Sequence, residues 1–122
     1  MIRSTVVAGA AAVAVLFAVH ARAAGETARE VTLTGEVVDV MCYVDHGARG
    51  DTHADCAARC IQSGGPIGLL QKDGTLYMLI GDHAPLDAET WSKLAAKTVT
   101  VKGMPAQKAG VHMLAHTTLA AQ

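Results

Sequence analysis

The sequence predicts a mainly β domain, a small barrel of five strands with one helix inserted between strands 1 and 2 and another between strands 3 and 4. Three observations carry that prediction. Period-two apolar alternation recurs in short segments separated by Gly- and Asp-containing turns, as half-buried strands require. Two of those turns join segments close enough to be hairpins. The remaining segments carry helix-capping residues ahead of a helical apolar spacing.

Residues 1–23 are predicted to lie outside the fold. Arg3 precedes an apolar run over residues 6–19, followed by Ala21-Arg22-Ala23. That is the pattern of a secretory signal peptide, with cleavage after Ala23. The run is shorter than the roughly 20 residues of a membrane span. With Ala24 rather than a cysteine directly after the cleavage site, and no twin arginine, neither a lipid anchor nor the twin-arginine route is expected, and the mature chain should be periplasmic or secreted. Residues 24–122 form one domain, since about 100 residues suffice for a single core. Without Arg3 and Arg22, eight Lys and Arg face eleven Asp and Glu, a formal charge of −3. Tyr43, Tyr77 and Trp91 are its only aromatic side chains. A nucleic-acid groove needs a basic track and stacking rings, so that class is excluded.

Along residues 30–40, EVTLTGEVVDV alternates and then shifts phase, which reads as a long first strand bent or bulged near Gly35 or Val38. Cys42 is expected at its end. Asp51 or Thr52 can cap a helix over about residues 53–63, with Gly64 ending it in a left-handed turn. Residues 67–70 and 75–80 flank Lys72-Asp73-Gly74 as a hairpin. Asp87 can cap a helix whose apolar face is Trp91, Leu94 and Ala95, ending near Lys97. A second hairpin joins residues 98–103 to 111–119 around Ala109-Gly110. Five strands with one helix between the third and fourth is the order of an OB-fold, whose 1-2 loop is a usual binding region. An open five-stranded α+β sandwich is the alternative.

The motif Gly35-Glu36-Val37-Val38-Asp39 followed by Cys42-Tyr43, then His53-x-x-Cys56-Ala57-x-x-Cys60, then Gly65-Pro66-Ile67-Gly68 resembles a family of small exported bacterial OB-fold-like proteins. Asp82-His83, the Trp91 helix and Val99-x-Val101-x-Gly103 extend the likeness over most of the mature chain. The resemblance implies an exported OB-like domain and carries no implication of activity.

The chemistry is concentrated in residues 41–65, which hold all three cysteines and two histidines. On an α-helix His53, Cys56 and Cys60 fall at i, i+3 and i+7, one stripe. Three readings follow. In the first, Cys42, His53, Cys56 and Cys60 bind a soft metal, copper(I) or zinc, with His46, Asp39 and Met41 as additional candidates. In the second, Cys42 forms a structural disulfide with Cys56 or Cys60. Residues one turn apart on a helix have Cβ atoms about 5–6 Å apart, too far for Cys56 to pair with Cys60. In the third, the thiols exchange disulfides, with His53 and the helix dipole lowering a thiol pKa. His112 and His116 share a strand face but stand roughly 13 Å apart, and read as surface residues. Met78, Met104 and Met113 read as core. No nucleophile elbow, phosphate loop or carboxylate pair is present. The expectation is a binding module rather than an enzyme, its partner a metal ion or an exported protein.

Overall fold

In the computed structural model the described residues are 29–121; the expected leader and its cleavage site lie outside them. Five antiparallel or parallel-paired strands close into a barrel in the order β1-β2-β3-β5-β4. They are β1 (Val31–Asp39), β2 (Ile67–Leu70), β3 (Leu76–Leu79), β4 (Thr98–Lys108) and β5 (Val111–Leu119). The expected OB-like barrel is the fold, with α2 (Ala54–Gln62) in the 1-2 connection and α3 (Ala88–Ser92) between β3 and β4.

Closure rests on β1. Val31 to Glu36 pair with β4, and Glu36 to Asp39 pair with β2, so Glu36 faces Thr98 on one side and Leu70 on the other. The anticipated bend falls at this crossing. A Cβ on Gly35 would lie 2.6 Å from the Leu70 carbonyl oxygen, so only glycine lets the strand change partner here. The alternating residues Val37, Leu69, Val101 and Leu114 point inward and are fully buried.

The β2–β3 hairpin turns at Gly74, which has φ +89°, and Asp73 Oδ1 accepts from the Thr75 N–H at 2.9 Å. The second hairpin turns at Ala109 and Gly110, both with positive φ. β4 runs five residues past the expected end at Gly103. β4 pairs with β1 only as far as Gly103. Beyond that point β4 pairs with β5 alone among the described residues, Pro105 standing opposite Leu114, and a register irregularity between Lys102 and Met104 takes up the offset.

Asp87 caps α3 as expected, accepting from the Thr90 N–H at 2.8 Å. The helix stops at Ser92 rather than near Lys97, and residues 93–96 form turns. The reason is a tertiary one: Ala96 N–H donates to the Val37 carbonyl at 2.8 Å and Val37 N–H to the Lys97 carbonyl at 3.0 Å. Bonding to β1 replaces continuation of the helix, and it holds Trp91 and Ala95 in the core beside Ile61 of α2.

Candidate thiol centre

Cys42 does not end a strand. β1 stops at Asp39, and residues Val40–His46 form a short helix, α1. Asp39 sits in extended conformation at its N-cap and accepts from the Cys42 N–H through Oδ2 at 2.9 Å; Gly47, φ +73°, closes it. This capping keeps Cys42 in the first turn, directly beside the barrel.

The second helix supplies the other two thiols. A 3-10 turn over Asp51–His53 precedes α2, and neither Asp51 nor Thr52 caps it; His53 occupies the N-cap position without a side-chain hydrogen bond. The expected capping residues are spent instead in the 3-10 turn, which Gly50 begins with φ +74°. The far end behaves as the sequence suggests. Gly64 has φ +92°, its N–H bonds to the Ile61 carbonyl at 3.0 Å, and the Gly65 N–H bonds to the Cys60 carbonyl at 2.8 Å. Ile61 is the one buried residue of α2. It anchors the helix to the core and turns Cys56 and Cys60 toward α1.

The Sγ atoms of Cys42, Cys56 and Cys60 all lie within 4.8 Å of one another, and all three cysteines are free. Cys56 is exposed; Cys42 and Cys60 are half-buried. Cys56 and Cys60 stand at i and i+4 on α2, which places both sulfurs on one face, one turn apart. Asp39 is 1% exposed, and its Oδ1 has no hydrogen-bond partner among the described residues. The carboxylate adjoins the Cys42 thiol and holds its proton: the Cys42 pKa is pushed up to about 12 by the Asp39 carboxylate, then by desolvation, then by Cys60.

His53, expected as the fourth donor, does not belong to this group of donors. A 3-10 turn advances about three residues per turn, so His53 leaves the stripe of Cys56 and Cys60. It lines a small recess with Glu36, Val37, Ala48 and Gly50, and the His46 ring centroid stands 6.5 Å from its own. His46 Nδ1 contacts Asp45 Oδ2 at 3.2 Å and is likewise outside the group. Met41 is 66% exposed on α1. The core reading of the other methionines holds only partly, since Met78, Met104 and Met113 are half-buried.

A second group went unnoticed in the sequence. Asp82, His83 and His116 also bring donor atoms within 4.8 Å of one another. His116, read as a surface residue, is exposed, and its neighbours in this group come from a different segment. The adjacent Asp82-His83 step was the one local signal.

A five-stranded closed barrel bearing a three-thiol cluster at its 1-2 connection is the class of protein that fold and site define. No protein-family model, no curated protein and no solved structure matches the chain.

Proposed function

We propose that this is an exported binding module whose cluster of Cys42, Cys56 and Cys60 holds one soft metal ion, copper(I) ahead of zinc. The observation that carries the reading is the convergence of three sulfurs from two helices within 4.8 Å. At a metal–sulfur distance of about 2.3 Å, three thiolates around one ion stand about 3.8–4.0 Å apart. Adjustment of less than about 1 Å would therefore seat an ion, with M–S distances near 2.3 Å. Three thiolates without a fourth donor favour copper(I), because structural zinc takes four ligands. Asp39, buried and adjoining Cys42, adds negative potential beneath the cluster and orients α1 by its cap.

The test is a thermal melt of the reduced protein with and without copper(I) or zinc. The expected result is a higher melting temperature with copper(I), of the size mass action gives, about 2.7 kcal/mol at a hundredfold excess over Kd. Cys56→Ser should abolish it and His53→Ala should leave it intact. No shift with either metal in the wild type would overturn the reading.

A specific observation supports a disulfide as the second reading. Cys60 is a direct neighbour of the Cys42 thiol and helps raise its pKa. A Cys42–Cys60 bridge would close a loop worth about 3 kcal/mol in chain entropy, leaving Cys56 exposed and free. On that reading Cys60→Ser lowers the stability of the oxidised protein and Cys56→Ser does not. Equal, large losses from both would remove it. Disulfide exchange with Cys42 as the attacking group is disfavoured, since its raised pKa keeps it a thiol and thiolates are the nucleophiles.

A further inference from the structure

We propose that Asp82, His83 and His116 form a second cation site, separate from the thiols and suited to a borderline divalent transition-metal ion such as zinc(II). Asp82 Oδ1 stands 3.1 Å from His116 Nδ1 and 3.8 Å from His83 Nε2. Nitrogen and oxygen ligands at about 2.0–2.1 Å from one ion are separated by about 3.0–3.4 Å in octahedral or tetrahedral geometry. Two imidazoles and a carboxylate therefore already stand at nearly the spacing that a shared ion requires. The rings of His83 and His116 meet edge to face, centroids 5.5 Å apart and planes at 88°, around the same carboxylate. An ordinary surface ion pair uses one histidine; this arrangement gathers two.

The donors come from segments 33 residues apart, and the backbone fixes that meeting. β3 and β5 pair in parallel at Leu79 and Leu114. Past that point Ile80 N–H donates to the Leu114 carbonyl at 3.0 Å, His116 N–H to the Gly81 carbonyl at 3.2 Å and Thr117 N–H to the Ile80 carbonyl at 2.9 Å. The Asp82-His83 loop is thus bonded to the strand that carries His116. Thr117 is buried and its hydroxyl donates to the Leu114 carbonyl at 2.7 Å, which pins the irregular stretch of β5 from inside.

Both histidines adopt left-handed backbone conformations, with φ +53° at His83 and +52° at His116. Such values are uncommon in residues with a side chain, and strained backbone concentrates where surrounding structure fixes a functional geometry. Among the described residues the other two, Ala96 and Ala109, sit at a helix exit and a hairpin tip, where chain reversal accounts for them. No chain reversal accounts for His116 within β5. The conformation turns its imidazole toward Asp82.

All three side chains are exposed, so water or an exogenous ligand has access to the remaining coordination positions. The donor set is harder than the thiol cluster. Zinc(II) and copper(II) suit nitrogen and oxygen, while copper(I) suits sulfur, so one protein would discriminate two oxidation states of copper at two places.

The experiment is a zinc(II) titration of the reduced protein followed by the side-chain imidazole resonances, with His83→Ala, His116→Ala and Cys56→Ser in parallel. The His83 and His116 signals are expected to shift together and saturate. Either alanine variant should weaken the response of the remaining histidine at least about tenfold while the fold, checked by backbone amide spectra, is retained. Cys56→Ser should leave the histidine response unchanged, so failure of the thiol reading and failure of this one are read separately. Imidazole signals that do not move up to millimolar zinc, or that respond equally in His116→Ala, would overturn the proposal.

Discussion

Replacing Gly65 by alanine tests how tightly the thiol centre is built into the barrel. A Cβ at this position would lie 2.8 Å from Asp39 Oδ1, 2.8 Å from the Cys60 carbonyl oxygen and 3.1 Å from the Cys60 carbonyl carbon. Neither neighbour can give way cheaply. The Cys60 carbonyl accepts the bond that closes α2, and Asp39 is 1% exposed and caps α1. The added methyl therefore drives apart the two helices that carry the sulfurs. Overpacking of this kind costs about 1–3 kcal/mol. For a domain of this size that is a fall in melting temperature of about 5–20 °C. Displacing Asp39 should also release the Cys42 proton more readily and speed alkylation of Cys42 at neutral pH. Gly64→Ala is the control, because Gly64 has φ +92° but nothing within 4 Å of a built Cβ. That change should lower the melting temperature through backbone strain alone, by about 1–2 kcal/mol, without altering alkylation. The assays are a thermal melt and mass-spectrometric alkylation of each cysteine. A Gly65→Ala protein that melts within about 2 °C of the wild type, with unchanged Cys42 alkylation, would refute the reasoning.

Two further outcomes are expected. Cys42 holds its proton more tightly in the folded chain, with a pKa raised from 9.0 to about 12, so its contribution to stability is complete below pH 9 and is lost as pH rises toward 12. Denaturant melts of the reduced protein between pH 8 and 11 should therefore show a decline that Cys42→Ser reduces, and parallel curves for the two proteins would contradict it. Ile61, 1% exposed, is the one fully buried residue of α2 and its main anchor in the core, with Ala57 and Ala58 packed beside it. Ile61→Ala should cost about 2–5 kcal/mol in urea denaturation, against less than about 0.5 kcal/mol for the exposed Met41→Ala.

Local chemistry determined most of the fold in advance. Gly74 and Gly110 mark hairpin turns because a left-handed residue there costs least as glycine, Asp87 marks a helix start because its carboxylate meets free N–H groups, and period-two alternation marks strands whichever neighbours they find. Those signals sufficed for the order of elements of an OB-like barrel along the chain, and the Gly64 stop correctly ended α2. α1 was legible too in its brackets, Asp39 at one end and Gly47 at the other, but Val40 and Val44 gave it the composition of a strand. Tertiary structure decided which donors meet. Whether His53 joins the thiols depends on whether its turn is 3-10 or α, a difference of under one residue per turn, in a turn that begins at Gly50. That His116 meets Asp82 and His83 depends on the parallel pairing of β3 with β5, a contact between segments more than thirty residues apart. Periodicity reports only a residue's relation to its near neighbours, and a metal or thiol centre is a relation between distant ones.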